Sequence, residues 1–312
     1  MLTEKYGKAV KGLGGLYSIR IEENGKADYL SCKAKGSLHR DEEKLLIGDR
    51  VCVTIDDSTP DGVVISEILP RKNSLIRPPM ANLDYIFAVF AAAKPAPVTE
   101  TVDKLIAIAE YNGITPVVII TKADLDENKA QEMEKIYSDA GFDTFITSTK
   151  TGEGIYEIKA YIEEKIKGGV TAAFAGASGV GKSTLMNRLF PNLSLATAEI
   201  SRKIERGRHT TRHVELFALS DGEGAGFLAD TPGFSLLDFA RFDFFPLESL
   251  EATFREISGY VGKCRYADCS HVGEGKEDCA VIMAVSNGKI SESRHNSYKE
   301  IYKVLKAKKN YE

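Results

Sequence analysis

Tryptophan is absent from this 312-residue sequence, and cysteine and methionine occur only five times each. Long apolar runs are also missing. The longest one, residues 85–93, ends at Lys94-Pro95 and is far shorter than the roughly 20 residues that a transmembrane helix needs. The sequence therefore predicts no membrane-spanning helix and no membrane partner. With 43% hydrophobic and 28% charged residues, the composition argues against a disordered or fibrous protein.

A leader segment and a strong net charge are missing as well. The first residues lack the charged, apolar and small-residue segments of a signal peptide, so we expect the protein in the reducing cytoplasm. There, five cysteines indicate metal or thiol chemistry rather than disulfides. The net charge of −4 argues against a globally basic nucleic-acid binder, but local basic surfaces are compatible with it. Two basic stretches, for which a solvated face is the alternative interpretation, are Arg202, Lys203, Arg206, Arg208 and Arg212, and Lys303, Lys306, Lys308 and Lys309.

The pattern of strands and helices changes twice along the chain. Turn residues divide the first seventy residues into about five short strands, which predicts a small β-barrel; the OB type is one such barrel. From about Leu83, apolar strands alternate with amphipathic helices, which predicts a parallel sheet with helices on its faces. One helix is expected to follow Thr99 as its N-cap, and the segment after Arg241 predicts a third, small module. The strands predicted for the sheet are 85–90, 116–120, 144–146, 171–175, 214–218 and 227–229.

Residues 176–183 have the form G-x-x-x-x-G-K-S, are followed by Thr184 and lie between a predicted strand and a predicted helix, which is the context of a phosphate-binding P-loop. The glycines allow backbone N–H groups to face the phosphates, Lys182 reaches the β- and γ-phosphates, and the Ser183 hydroxyl ligates Mg²⁺. A chance glycine-rich turn is the alternative. The predicted nucleotide-binding residues are Gly176, Ala177, Ser178, Gly179, Val180, Gly181, Lys182, Ser183 and Thr184.

A tetrapeptide upstream of the P-loop indicates guanine as the base. The sequence T-K-A-D at 121–124 follows a predicted strand and resembles the N-K-x-D motif, with Thr121 in place of Asn. Asp124 can accept hydrogen bonds from both N1–H and the N2 amino group of guanine, and Lys122 can lie across the base. A capped helix start is the alternative interpretation of these four residues.

Three shorter motifs complete the predicted site. The tripeptide S-T-K at 148–150 resembles the S-A-K element, whose backbone N–H contacts the guanine oxygen. The sequence D-T-P-G at 230–233 resembles the D-x-x-G switch motif, and T-T-R at 210–212 resembles a first switch element. These motifs assign Ser148, Thr149 and Lys150 to the base, Thr211 and Asp230 to Mg²⁺, and Gly233 to the γ-phosphate.

The order of these motifs differs from that of ordinary GTPases, in which the P-loop and the two switches precede both guanine motifs. Here the guanine motifs at 121 and 148 precede the P-loop at 176. This order predicts a circularly permuted GTPase fold, in which the chain runs from the second switch directly into the third module.

The third module carries a candidate metal site. Its cysteines and histidine have the spacing C-x4-C-x-H-x7-C, and three thiolates with one imidazole suit a closed tetrahedral Zn²⁺ site. Scattered buried cysteines are the alternative, and spacing alone leaves Fe²⁺ open. The predicted ligands are Cys264, Cys269, His271 and Cys279, whereas Cys32 and Cys52 are expected in the barrel core.

Taken together, these motifs resemble the circularly permuted, ribosome small-subunit-dependent GTPases of bacteria over nearly the whole chain. The resemblance implies a multi-domain protein with an N-terminal OB-type barrel that binds RNA (1–72), an α/β P-loop GTPase domain in permuted order (73–240) and a small α-rich zinc-binding domain (241–312). It also implies docking on the small (30S) ribosomal subunit and its 16S rRNA, GTP hydrolysis stimulated by that subunit, and a role late in its maturation. We expect a cytoplasmic monomer with one structural Zn²⁺, and Mg²⁺ bound with GTP or GDP.

One catalytic part has no obvious counterpart in the sequence. Phe234 follows the D-x-x-G motif where Ras-type enzymes place a water-orienting Gln, and Phe forms no such hydrogen bond. We therefore expect slow intrinsic turnover, with His209 as the candidate for positioning water when the partner is bound; RNA contact or packing is the alternative role for His209. Two other functions stay open: a nucleotide-gated RNA-binding module with negligible hydrolysis, and a P-loop nucleotide kinase with a zinc-stapled lid.

Overall fold

The computed structural model describes residues 2–35, 44–56, 58–59, 62–191, 214–230 and 237–309. The described strands are β1 Leu2–Leu13, β2 Leu16–Glu23, β3 Lys26–Ala34, β4 Arg50–Asp56, β5 Val63–Ile68, β6 Ser74–Leu75, β7 Met80–Ala81, β8 Tyr85–Ala91, β9 Thr115–Thr121, β10 Thr144–Ile146, β11 Thr171–Ala175, β12 Glu215–Ala218 and β13 Phe227–Asp230. The described α-helices are α1 Thr99–Tyr111, α2 Glu127–Asp139, α3 Ile155–Lys165, α4 Lys182–Leu189, α5 Arg255–Ser258, α6 Ala280–Ser286 and α7 Glu292–Lys309. Short 3-10 helices occupy Ala123–Leu125, Leu247–Ser249 and Glu251–Thr253.

The chain divides into two compact units. The first contains Met1–Tyr85, Lys159–Phe174 and Met186–Gly233, and the second contains Ile86–Ile158, Ala175–Leu185 and Phe234–Glu312. The predicted division at residues 72 and 240 stays a prediction.

A five-stranded barrel forms the N-terminal part of the first unit. Its strands follow the order β1-β2-β3-β5-β4, and β4 pairs back with β1, which closes the barrel. All pairings are antiparallel except the one between β3 and β5. Alternate residues of each strand face the core, as Ile19 and Ile21 of β2 show. This closed arrangement confirms the predicted OB-type barrel.

The two N-terminal cysteines belong to this barrel. Cys32 on β3 and Cys52 on β4 are both buried, as the sequence predicted for core residues. Burial raises the pKa of the Cys32 thiol to about 11. This residue therefore behaves as a small apolar side chain and not as a reactive thiol.

The same unit contains three strands from later in the chain. Strand β12 pairs with β1 through Lys11 and Glu215, β13 runs antiparallel to β12, and β11 runs parallel to β13. Every residue of β11 is buried, as expected for the continuous apolar pattern of a parallel strand. Phe174 of β11 is paired with Asp230 of β13, so the two parallel strands end at the same level.

In the second unit, β8, β9 and β10 are neighbours in a sheet, and β9 and β10 are parallel. The helix α1 begins at Thr99, and Val98 is its N-cap without a side-chain hydrogen bond. The predicted cap at Thr99 is therefore wrong, because this residue already lies inside the helix and its hydroxyl is one position too late to serve the first-turn amides. The next helix, α2, is capped by Asp126, whose carboxylate accepts from the amide of Lys129 at 2.9 Å.

The C-terminal part of the second unit packs on α1 through the long helix α7. Tyr298, Ile301 and Leu305 of α7 are buried, and the ring of Phe254 contacts that of Tyr298 edge-on. Among the described residues, no helix is both long enough and apolar enough to span a membrane.

Candidate functional site

The loop between β11 and α4 has a backbone shape that requires glycine. Gly176 has a φ of +151°, and a Cβ at this position would lie 2.0 Å from the carbonyl oxygen of Val89. No other residue type fits there, because the loop passes directly against the end of β8. The motif glycine thus places the start of the loop against the sheet.

Lys182 lies at the first position of α4, and its ammonium is held by the loop itself. Nζ donates to the carbonyl oxygens of Gly176 and Ala177, both at 2.7 Å. Since these carbonyls begin the loop and Lys182 ends it, the bonds hold the positive charge within the curve of the loop. The next two residues, Ser183 and Thr184, are exposed on the first turn of the helix.

Thr121 joins the T-K-A-D segment to the P-loop. Its side chain is buried, and the hydroxyl oxygen lies 2.5 Å from the carbonyl oxygen of Val180 and 3.1 Å from that of Phe90. The hydroxyl can donate its single proton to one of these carbonyls at a time, and the shorter contact is the one to the loop. Thr121 therefore ties the two segments together although it replaces the usual Asn.

Lys122 makes a second connection between the same two segments. Its backbone is left-handed, with a φ of +57°, and its ammonium donates to the carbonyl oxygens of Lys94 at 2.5 Å and Gly179 at 2.7 Å. The side chain therefore extends from the end of β9 to the P-loop.

Asp124 is fixed by the next predicted motif. Its Oδ1 accepts a 2.7 Å hydrogen bond from the hydroxyl of Ser148, and the ammonium of Lys150 lies 3.7 Å from its Oδ2. The Ser148 side chain is fully buried, so the carboxylate is oriented by a rigid donor. The structure thus brings the T-K-A-D and S-T-K segments into direct contact.

The S-T-K segment forms a tight loop. The amide of Ser148 donates to the carbonyl oxygen of Glu153, and Gly154 has a φ of +66° with its α-carbon facing the carbonyl of Ile146. Within the described part of the chain, no hydrogen bond is made by the backbone N–H groups of Thr149 and Lys150. These groups have the donor chemistry that the guanine oxygen requires.

Several predicted residues lie outside the described part of the chain. These are His209, Thr211 and Gly233, together with Phe234 and the basic stretch at 202–213. Asp230 ends β13, and only its backbone is described.

The four predicted metal ligands meet in the second unit. Their ligand atoms all lie within 4.8 Å of one another, and the side chains of Cys269, His271 and Cys279 are buried. The Nδ1 atom of His271 lies 3.5 Å from Sγ of Cys264, 3.3 Å from Sγ of Cys269 and 3.4 Å from Sγ of Cys279. The sulfurs of Cys264 and Cys279 are 3.9 Å apart.

These distances match a tetrahedral zinc site. Zn–S bonds of about 2.3 Å and Zn–N bonds of about 2.0–2.1 Å give ligand separations of roughly 3.8 Å between sulfurs and roughly 3.6 Å between sulfur and nitrogen. Burial raises the pKa of Cys269 to about 12 and also raises that of Cys279, so these thiols need a cation to ionise. The residues therefore fit a closed Cys₃His site for a divalent metal.

Comparison with known proteins agrees with this arrangement. The RsgA GTPase family profile matches residues 68–240, the RsgA N-terminal domain matches residues 6–64, and a profile described as 50S ribosome-binding GTPase matches residues 171–310. The small ribosomal subunit biogenesis GTPase RsgA of Agathobacter rectalis is 40% identical, with 98% of this chain and 99% of the relative aligned.

The chain belongs to the RsgA GTPase family.

Solved structures show the same fold as this RsgA-family chain. YjeQ from Thermotoga maritima superimposes with a TM-score of 0.78 at 33% identity, covering 97% of this chain and 99% of that one. YloQ, a circularly permuted GTPase, superimposes with a TM-score of 0.76 at 30% identity, covering 98% of this chain and 96% of that one. The predicted permuted order of this RsgA-family GTPase is therefore confirmed.

Some contacts at the RsgA-family site were not indicated by the sequence. The carbonyl of Lys94 that receives Lys122 has no sequence signature, because any residue supplies a carbonyl. Glu274, which lies between two metal ligands and receives several hydrogen bonds, was also missed. Its only signal was an acidic residue in a glycine-containing loop, and Asp268, Glu277 and Asp278 in the same stretch carry a similar signal.

Proposed function

We propose that this RsgA-family GTPase hydrolyses GTP on the small (30S) ribosomal subunit, that the subunit stimulates hydrolysis, and that the reaction belongs to late maturation of the subunit. The observation that carries the proposal is the full-length similarity to relatives named for small-subunit biogenesis. The profile whose description names the 50S subunit covers only 171–310, whereas the small-subunit relatives align over the whole chain. We therefore favour the small subunit as the partner.

The geometry of the second unit supports guanine nucleotide binding. The P-loop amides and Lys182 would hold the phosphates, and the carboxylate of Asp124 would accept from the two donors on the Watson–Crick edge of guanine. Lys122 would lie along the base, and a backbone N–H of Thr149 or Lys150 would donate to the guanine oxygen. Adenine presents neither of the donors that Asp124 requires, so the site selects GTP over ATP.

Catalysis requires groups from the switch segments. Ser183, Thr211 and Asp230 would hold Mg²⁺, which when bound neutralises charge on the phosphates. Gly233 would contact the γ-phosphate through its amide. Because Phe234 occupies the position of the usual water-orienting Gln, we assign water positioning to His209 in the subunit-bound state.

Cys264, Cys269, His271 and Cys279 would hold one Zn²⁺ whose role is structural, since all four coordination positions are taken by protein. The barrel and the basic stretch at 202–213 would contact 16S rRNA, because clustered Lys and Arg neutralise phosphates. We expect a monomer that works in the cytoplasm, where ribosomal subunits mature.

The experiment is phosphate release from GTP and from ATP with Mg²⁺, measured for the protein alone and with purified 30S or 50S subunits. We expect 30S subunits to stimulate phosphate release from GTP and not from ATP. Lys182→Ala should abolish the stimulated rate, whereas Lys159→Ala, on the exposed face of α3, should leave it unchanged.

The outcomes separate the competing functions. GTP binding without stimulated release would favour a passive nucleotide-gated RNA binder, and phosphoryl transfer to a nucleotide acceptor would indicate a kinase. Stimulation by 50S but not 30S subunits would contradict the proposed partner. For the role of His209, His209→Ala should lower the stimulated rate by more than it lowers 30S affinity. His213→Ala in the same stretch is the control.

A further inference from the structure

The carboxylate of Glu274 organises residues 270–273, a short segment that contains the metal ligand His271 and directly follows the metal ligand Cys269. Oε1 of Glu274 accepts hydrogen bonds from the backbone N–H of Ser270 at 2.8 Å and from its hydroxyl at 2.7 Å. Oε2 accepts from the backbone N–H groups of Val272 at 2.9 Å and Gly273 at 3.1 Å. Both carboxylate oxygens are therefore saturated by a segment of four residues, 270–273.

The carbonyl groups of the same segment are held from α7. The hydroxyl of Tyr298 donates to the carbonyl oxygen of Ser270 at 3.2 Å, and Nε2 of His295 lies 2.7 Å from the carbonyl oxygen of His271. Residues 270–273 thus have hydrogen-bond partners for both N–H and carbonyl groups of their backbone. The side chains that provide these hydrogen bonds belong to Glu274, His295 and Tyr298, which are not metal ligands.

This support is needed because the backbone of His271 is strained. Its φ is +60°, a left-handed conformation that costs a non-glycine residue free energy and persists only where its surroundings enforce it. The left-handed turn at His271 accompanies a separation of 3.3 Å between its Nδ1 and Sγ of Cys269, only two residues earlier. The geometry of the metal centre therefore depends on the conformation of 270–273.

The charge state of Glu274 agrees with this arrangement. Partial burial alone would raise its pKa, but the hydrogen bonds from Ser270 and Gly273 outweigh it and lower the pKa to about 2. The carboxylate is consequently ionised at neutral pH, and each of its hydrogen bonds is charge-assisted.

We propose that Glu274 is a positioning residue of the metal centre, whose carboxylate holds residues 270–273 in the conformation that directs Cys269 Sγ and His271 Nδ1 to one point before the metal binds. This inference rests on the proposed role of the Cys₃His cluster as a metal site. It extends that role by assigning part of the metal affinity to a residue that does not touch the metal.

Glu274→Gln tests the proposal with almost no change in volume. An amide keeps one acceptor oxygen and replaces the other with an NH₂ group. In one orientation this NH₂ faces the N–H groups of Val272 and Gly273, and in the other it faces the N–H of Ser270. Either way at least one backbone donor loses its acceptor. Glu277→Gln is the matched control, because Glu277 is exposed in the same loop.

The measurement is Zn²⁺ affinity of the full chain, stripped of metal and titrated in competition with a chromophoric chelator. We expect Glu274→Gln to bind Zn²⁺ about 10- to 100-fold more weakly, as is typical when a group that orients metal ligands is lost. Glu277→Gln should match the unaltered chain. Ser270→Ala, which removes only the hydroxyl donor, should weaken binding by less than Glu274→Gln.

Far-UV circular dichroism of the variants shows whether the chain has kept its overall secondary-structure content. If Glu274→Gln does not fold, hydrogen exchange of the unaltered metal-free chain decides the question: slow exchange at the amides of Ser270, Val272 and Gly273 supports the proposal, and exchange at the rate of an open loop overturns it. Equal Zn²⁺ affinity of a folded Glu274→Gln and the unaltered chain also overturns it. Failure of the unaltered chain to bind Zn²⁺ would instead overturn the metal assignment itself.

Discussion

Arg294 of α7 contacts Asp103 of α1 at 2.7 Å, and the two side chains are 1% and 0% exposed. The same guanidinium bonds the carboxylate of Glu256 through Nε and Nη2, and the hydroxyl of Tyr137 donates to Asp103. Burial raises the pKa of Asp103, an effect that the charge of Arg294 opposes. One buried cation therefore joins the C-terminal helix to α1 and to the segment at 254–258.

Replacing Arg294 should destabilise the protein strongly. Arg294→Met keeps the side-chain volume but leaves Asp103 and Glu256 buried without a cation, which typically costs about 3–5 kcal/mol. The free energy of unfolding in urea measures the loss. Arg265→Met is the control: its partner is Asp278 and its side chain is 69% exposed, so we expect about 0–1 kcal/mol. Equal losses for the two variants would contradict the role of the buried cation.

Asp124→Asn should change the base that the enzyme prefers. The amide offers one acceptor and one donor, which match the N1–H and the C2 carbonyl of xanthine but not the two donors of guanine. Losing a hydrogen bond to a charged group costs about 1.5–3 kcal/mol, so GTP affinity should fall by about 10- to 150-fold. Phosphate release measured over a range of GTP and of xanthosine triphosphate concentrations shows the change through the KM for each nucleotide.

Asp126→Asn is the control for this substitution. Asp126 lies two residues later and caps α2, a role that Asn fills equally well, so the preference for GTP should stay unchanged. If Asp124→Asn kept the selectivity of the unaltered enzyme, the assignment of Asp124 to the base would be wrong.

Sequence patterns predicted the sheet strands closely and the barrel incompletely. Strands 144–146 and 171–175 match β10 and β11. For β11 the reason is that a buried parallel strand is a continuous apolar run between turns. The twelve-residue β1 was not predicted as a strand. Its glycines and lysines hide the period-two pattern, and a bulge between Ala9 and Lys11 shifts its register.

Motifs predicted the candidate site residues, but not the contacts that join them. The T-K-A-D and P-loop patterns select candidates because the chemistry restricts residue type at each position. The hydrogen bond from Thr121 to the carbonyl of Val180, 59 residues later, follows from the folded backbone and leaves no pattern. The same holds for Arg294 and Asp103, which are 191 residues apart.

Removing the Thr121 hydroxyl should weaken nucleotide binding without changing base preference. Thr121→Val preserves shape but leaves the carbonyl of Val180 without its closest donor, at a cost of about 1–2 kcal/mol or about 5- to 30-fold in GTP affinity. Titration with a fluorescent GTP analogue measures this. Thr144→Val serves as control, since the Thr144 hydroxyl donates to the carbonyl oxygen of Phe142, two residues earlier, and not to the P-loop. Equal GTP affinities of Thr121→Val and Thr144→Val would show that the hydrogen bond from Thr121 to the P-loop does not support nucleotide binding.

Lys8 should make the stability of the first unit rise with pH above about 8. Its ammonium donates to the carbonyl of Gly169 and the hydroxyl of Thr171, both at 2.8 Å, and lies 4.2 Å from the ring centre of Phe227. Burial lowers the pKa of Lys8 from 10.5 to about 8; Asp84 opposes this shift. Between these two values the unfolded chain binds more protons than the folded one, so the free energy of unfolding increases with pH by at most about 1.4 kcal/mol per pH unit from this group.

Urea unfolding of the full chain between pH 7.5 and 9.5 measures that slope. Lys8→Met should remove the contribution, because the variant has no proton to lose at this position. It should also be the more stable chain at pH 7.5, where most of the unaltered protein still carries the buried charge. Lys11→Met is the matched control on the same strand: Lys11 is exposed and paired with Glu215, so its loss should leave the slope unchanged. If the free energy of unfolding of Lys8→Met rose with pH as steeply as that of the unaltered chain, a group other than Lys8 would be the source of the slope.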